Sequence, residues 1–186
     1  MYKLSKILVK KNMINIAVIG GSGFLGTEVS KELILRKYKV TIFDKNPPKF
    51  SNKNLKYIQG DILNDKKLEK SIKGSSYVYN FAGIADLDYG VHQPIKSIEQ
   101  NILATVNMLN FCKKHKVKRY VYASTIYVYS EKGGFYRCSK QAAENYIEEY
   151  NKKFKLNYTI LRYGSLYGPG AGTNNGLSKI ISNSLK

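Results

Sequence analysis

From Ile14 onward, short apolar runs of strand length alternate with longer runs in which apolar residues recur every three or four positions. That alternation predicts a parallel sheet covered by helices. Ile14–Ile19 reads as a buried first strand and 24–37 as its helix, with Leu25, Val29, Leu33 and Ile34 on one face. A second strand is predicted at Val40–Phe43, and Pro47-Pro48 then forces a loop. Strands follow at Leu55–Gln59 and Tyr77–Phe81, separated by a short helix over Asp65–Ile72. Pro94 marks the start of a helix running to about His115, with Ile98, Ile102, Val106 and Leu109 expected on one face. A fifth strand at Arg119–Ala123, a helix over Tyr136–Lys152 and a sixth strand at Leu156–Arg162 complete the series. A Gly- and Asn-rich stretch and a short apolar segment, Leu177–Leu185, close the chain. Right-handed crossovers between such units predict an α/β fold, a doubly wound parallel sheet with helices on both faces and a ligand crevice at the carboxyl ends of its strands.

The 186 residues suffice for one well-buried domain, and 43% hydrophobic content argues against disorder. A net charge of +18 brings polyanions and anionic membranes into consideration. The lysines are scattered through nearly every predicted element, however, which argues against a dedicated nucleic-acid surface. No run approaches the ~20 apolar residues of a membrane span. The basic opening, residues 1–13, carries too short an apolar run for a signal peptide, so a cytoplasmic protein is expected. Cys112 and Cys138 are isolated, as are His92 and His115, and neither set has metal-ligand spacing.

Candidate chemistry lies at the predicted strand ends. Gly20-Gly21-Ser22-Gly23-Phe24-Leu25-Gly26 follows the first strand and opens the first helix. Gly20, Gly23 and Gly26 permit a tight turn, close approach of a pyrophosphate and close helix–strand packing. The helix start at Phe24 and Leu25 offers free N–H groups and a positive dipole end to phosphates. Asp44, 18 residues after Gly26, closes the second strand, where a carboxylate can accept from adenosine ribose hydroxyls. An acid there favours NAD over NADP, with adjacent Lys45 acting in the opposite sense.

Tyr136 and Lys140 are four residues apart and share one face of a helix. A free tyrosine, with pKa near 10, is a poor base at neutral pH. A neighbouring ammonium and a cationic nicotinamide are expected to lower that value. Ser124 and Thr125 place two hydroxyls at the end of the preceding strand, within reach of a substrate oxygen.

These motifs, in order with Gly60-Asp61-Ile62, Asn80-Phe81-Ala82-Gly83, Asn101 and the segment from Leu161 to Pro169, resemble an extended short-chain dehydrogenase/reductase of the NAD-dependent epimerase/dehydratase family. The resemblance runs from about Ile14 to Pro169 and implies an NAD-binding Rossmann domain over 14–170. It implies that Asp61 and Ile62 flank the adenine, that Phe81, Ala82 and Gly83 line the cofactor, and that Asn101 sits near it. Thr125 matches the family's catalytic hydroxyl, Tyr136 its base and Lys140 the residue that tunes that base and binds the nicotinamide ribose. The implied reaction is oxidation of a sugar hydroxyl of a nucleotide-sugar by hydride transfer to NAD.

Departures accompany the likeness. Only 10 residues separate Thr125 from Tyr136, fewer than is usual in the family, and Ser165 stands where many relatives carry a substrate-contacting Asn. Relatives continue beyond the sixth strand into a smaller substrate-binding domain, so residues 171–186 are expected to be only its start. A homodimer through a helix pair is the assembly the resemblance implies. Two alternatives stay open at this level: a family reductase with exchangeable NAD(P)H, and a catalytically silent dinucleotide-binding module that uses its basic surface on RNA.

Overall fold

The computed structural model describes residues 13–168, 170–171, 180–181 and 183–184. The basic opening up to Asn12, and residues 172–179 within the expected start of a substrate-binding region, lie outside the described residues. Six strands, β1 (Asn15–Ile19), β2 (Lys39–Asp44), β3 (Leu55–Gln59), β4 (Tyr77–Asn80), β5 (Arg119–Thr125) and β6 (Tyr158–Tyr163), pair in the order β3-β2-β1-β4-β5-β6. Every pairing is parallel, which gives the predicted Rossmann-type doubly wound sheet. The strand order reverses between β1 and β4, the point at which such sheets open a ligand crevice.

The helices are α1 (Phe24–Leu35), α2 (Asp65–Ile72), α3 (Leu87–His92), α4 (Pro94–Ser97), α5 (Ala104–Lys114) and α6 (Gly134–Phe154). On one face of the sheet, Leu33 and Ile34 of α1 pack against Ile16, Val18, Val40 and Ile42. On the other, α2, α5 and α6 bury Leu68, Met108 and Ile147 against Ile19, Phe43, Tyr120 and Tyr122. Alternate residues of each strand serve the two faces, as the pleat requires. Asn64 caps α2, its side chain accepting from Lys67 N–H, so that helix begins where the sequence places it.

Two regions depart from the expected pattern. The chain between β4 and Pro94 is not all loop, because Asp86 accepts from Tyr89 N–H and nucleates α3. The helix expected from Pro94 to about His115 is interrupted by a π-helical segment, Ile98–Leu103, between α4 and α5. Its buried face is also offset from the expected one: Leu109 is buried as expected, but Asn101, Ala104, Thr105, Met108 and Cys112 are buried with it, Ile102 and Val106 are only partly buried and Ile98 is about half exposed. Asn101 and Thr105 turn inward because they bond to Ile84 and Ser139 and to Asn80. Side-chain size alone favoured the neighbouring face.

Candidate active site

Gly20–Gly26 forms the turn between β1 and α1. Three of its glycines are required by the protein itself. Gly20 has φ +76°, and a Cβ there would lie 2.6 Å from Ala82 N. A Cβ on Gly21 would meet the Ile42 side chain at 2.7 Å, and one on Gly26 would overlap Gly20 O. Gly23 is different. Its backbone is extended, at φ −71° and ψ 175°, and an added Cβ would meet only Gly20 O at 3.4 Å. Within the protein this position has room for a side chain, which it leaves open to the cleft.

That cleft, of about 260 Å³, lies at the carboxyl ends of β1, β2 and β4. Of the residues expected to bind cofactor, Gly20, Gly23, Asp44, Ile62, Phe81, Ala82 and Gly83 line it. Asp44 accepts from Ser22 N–H and Asn46 N–H, both at 3.0 Å, so its carboxylate ties the glycine turn to the end of β2. Asp61 lies beside this wall and pairs with Lys45 at 2.9 Å. Partial burial works against its charge, but the Leu63 N–H and Lys45 outweigh it and hold the carboxyl below its ordinary range. Phe24 and Leu25 start α1 directly after Gly23 of the cleft, and the Phe24 ring lies near Gly168 and Gly170. Phe43, Lys45, Gly60 and Gln100 also line the cleft but were not assigned to it from sequence. Gly60 has a readable signal, because a Cβ there would lie 2.6 Å from the Phe43 ring.

Asn101, within the π segment, fastens the loop beside this cleft to the start of α6. Its amide accepts from Ile84 N–H at 2.8 Å and donates to Ile84 O and to Ser139 Oγ, each at 2.9 Å. Ser139 in turn donates to Tyr136 O at 2.8 Å. The loop after β4 and the first turn of α6 therefore share one buried amide. Asn80 holds the same loop from below, accepting from Ala82 N–H at 3.1 Å and donating to the Tyr120 hydroxyl at 2.8 Å.

Thr125, Tyr136 and Lys140 meet where β5 ends and α6 begins. Thr125 is buried, accepts from Tyr127 N–H at 3.2 Å and has its hydroxyl near the Tyr136 side chain. Lys140 is 5% exposed and donates to Ala123 O at 2.7 Å. Its ammonium lies 4.6 Å from the centre of the Tyr122 ring and 5.8 Å from that of Tyr136. Burial pulls this lysine down to about 8, with Glu144 acting in the opposite direction.

The expected lowering of the tyrosine is absent in the chain by itself. Burial raises Tyr136 above its ordinary value, although the nearby Thr125 hydroxyl pulls the other way. The reason is geometric: the Lys140 amine is bound to Ala123 O beneath the aromatic rings rather than to the phenol oxygen.

Ser124 and Ser165 do not share this centre. Ser124 is buried and donates a short hydrogen bond to Glu144, while Ser165 is exposed beyond β6. Glu144 accepts from Arg162 Nη2 at 2.7 Å and from its Nε, and Arg162 also donates to the Tyr129 hydroxyl. Neither Glu144 nor Arg162 was assigned a role from sequence. The available signal is spacing, since Glu144 follows Lys140 by one helical turn.

Cys138 is exposed and Cys112 buried, both as free thiols. His115 pairs with Glu69 at 2.8 Å. Among the described residues, no group of three or more His, Cys, Asp or Glu could hold a metal ion, and no helix is long and apolar enough to cross a membrane.

Comparison with known proteins agrees with this geometry. Residues 16–186 match the NAD dependent epimerase/dehydratase family. The chain is similar to UDP-glucose 4-epimerase of Thermotoga maritima, solved with UDP-glucose, at TM-score 0.82 and 27% identity over 91% of this chain and 62% of that one. The Thermus thermophilus UDP-glucose 4-epimerase complex with NAD gives TM-score 0.81 at 25% identity, over 91% and 61%. A dTDP-D-glucose 4,6-dehydratase of Dictyostelium discoideum is 29% identical over 191 residues, 83% of this chain and 44% of that protein. The chain spans about half the length of the curated relatives it matches. Sheet order, glycine turn, the Tyr136–Lys140 pair and a family match over nearly all its length place this chain in the NAD dependent epimerase/dehydratase family.

Proposed function

We propose that this chain binds NAD and serves the oxidation step of a nucleotide-sugar epimerase or dehydratase, with Tyr136 as the base. The observation that carries the reading is the burial of Lys140 between Tyr122, Tyr136 and Ala123 O. A lysine is almost never so enclosed unless paired or functional, because desolvating an ammonium is costly. Lys140 has no direct carboxylate partner among the salt bridges of the described residues. It lies instead under Tyr136, whose side chain is near the Thr125 hydroxyl.

The cleft fits the cofactor on the chain's own evidence, since Gly23 leaves room that no neighbouring residue needs. The turn after β1 and the start of α1 would hold the pyrophosphate. Asp44 would hold the ribose, because a carboxylate that accepts two backbone N–H bonds keeps lone pairs for hydroxyl donors. Ile62, Phe81 and Ala82 would supply the apolar walls. NAD, when bound, supplies the acceptor for a hydride from the carbon that carries the substrate hydroxyl.

The residues of the chain handle the proton. Thr125 orients the substrate hydroxyl toward Tyr136, whose phenolate oxygen takes the proton. The Lys140 ammonium stabilises that phenolate from beneath, and Asn101, through Ser139, fixes the turn of α6 that carries Tyr136. The substrate class is a UDP- or dTDP-hexose, in line with the relatives' names.

Titration with NADH, followed by fluorescence, and turnover of UDP-hexoses by the protein as encoded test the reading. The expected result is saturable NADH binding, and a Tyr136→Phe variant that still binds NADH while turnover falls by ~10²-fold or more. Absence of NAD(H) binding, or unchanged turnover in Tyr136→Phe, overturns it.

A further inference from the structure

Glu144 projects from α6 one turn beyond Lys140 and is 5% exposed. It is contacted from two strands. Ser124 donates to it from β5, and Arg162 donates to both of its oxygens from β6. Arg162 is also stacked on the Tyr129 ring at 4.7 Å and donates to its hydroxyl, reaching the turn that follows Thr125. The end of β5 is thus tied to α6 at two successive residues, Ala123 O to Lys140 and Ser124 to Glu144, with the Thr125 hydroxyl near Tyr136. The second tie alone has a countercharge behind it.

We propose that Glu144 is a positioning residue for the proton-transfer centre, a buried carboxylate that Arg162 anchors so that it locks the end of β5 onto α6 and keeps Lys140 in its ammonium form beneath Tyr136. The proposal rests on the functional reading above for its consequence in catalysis, but its electrostatic part concerns the chain alone. A fold-holding ion pair between α6 and β6 needs neither Ser124 nor proximity to a buried lysine. Glu144 has both, and it opposes the downward pull of burial on Lys140.

The groups that face Lys140 are few. Tyr136 and Glu144 lie on its own helix and Tyr122 on β5, with Arg162 of β6 beyond Glu144. The turn after β5 adds Tyr127, next to Tyr136, and Tyr129, next to Arg162. The neighbouring α5 and π segment present Thr105 and Asn101, which are neutral. Glu144 is therefore the carboxylate available to hold the ammonium form among the described residues.

The test is the titration midpoint of Lys140 in the whole chain, followed by NMR of ¹³C-labelled lysine and assigned with Lys140→Arg. In Glu144→Gln, which keeps volume and an acceptor for Ser124, the midpoint is expected to fall by ~1 pH unit. The alkaline limb of kcat is expected to move down with it, while KM and NADH affinity stay within ~2-fold. An unmoved midpoint in the folded variant overturns the proposal. If Glu144→Gln loses its fold by circular dichroism, Arg162→Gln serves instead: it removes the cation opposing Glu144, so the midpoint is expected to rise, and no rise overturns the proposal. Failure of the functional reading is distinguishable, because wild-type protein that binds no NADH still gives a Lys140 titration.

Discussion

Replacing Lys140 by methionine is expected to make this protein more stable while removing its activity. Burial lowers the lysine from 10.5 to about 8. At about 1.4 kcal/mol per pH unit, carrying the buried ammonium costs the folded chain about 3 kcal/mol at neutral pH. Methionine fills a similar volume without charge and gives up one hydrogen bond to Ala123 O, worth about 1 kcal/mol. The net gain of about 2 kcal/mol corresponds to a melting temperature about 4–8 °C higher for a chain of this size. The pH dependence has a definite sign. The folded state releases the lysine proton above about 8 and the unfolded chain only near 10.5, so the unfolded state holds more protons in between. Wild-type stability therefore rises with pH across that window, and the advantage of Lys140→Met shrinks by about 2 kcal/mol between about pH 7 and pH 9.5. Urea melts of both proteins at these two pH values measure the difference directly. A Lys140→Met protein less stable than wild type at pH 7, or a gap that does not close with pH, would refute the claim that this burial opposes folding and is retained for chemistry.

Three further outcomes follow from the same coordinates. Gly23→Val is expected to fold normally yet lose NADH binding, whereas Gly26→Ala is expected to destabilise the chain by about 2 kcal/mol or more because its Cβ overlaps Gly20 O; thermal melts and NADH fluorescence separate the two. Asp44→Ala removes the acceptor for Ser22 and Asn46 N–H, so NAD affinity should drop by ~10-fold or more, discrimination against NADP should relax, and stability should fall by about 1 kcal/mol. Asn101→Ala strips partners from Ile84 and Ser139 and is expected to cost about 2–4 kcal/mol, with faster hydrogen exchange at Ile84; unchanged exchange there would contradict the bridging role.

The sheet and the cleft at its strand ends were legible because their signals are local. A fully buried parallel strand must be continuously apolar, a phosphate turn needs glycine, and a carboxylate at a strand end needs only the strand to end there. Asp44, Gly23 and Ala82 accordingly line one cleft as their positions implied. The buried face of the 94–115 stretch was not legible. A π segment shifts the register, and Asn101 and Thr105 turn inward because the first bonds to Ile84 and Ser139 and the second to Asn80 of β4, partners that hydropathy does not record. Ser124 shows the same limit. Its neighbour Thr125 has the same chemistry one position later, but strand alternation turns Ser124 toward Glu144 and Thr125 toward Tyr136.

What the sequence by itself determined is the order of strands and helices, the glycine turn with Asp44, and the pairing of Tyr136 with Lys140 on one helix face. Each of these depends on residues within a few positions of one another or on backbone limits at a single site. Only the tertiary structure decided which glycine has open space beside it, that Asn101 bridges the loop after β4 and α6, and that Lys140 is buried with its amine on Ala123 O. It likewise decided that Arg162 pairs with Glu144 one helical turn beyond Lys140. Those facts depend on groups 17 to 38 residues apart meeting in a low-dielectric interior, where charges and hydrogen bonds take values that no local pattern carries.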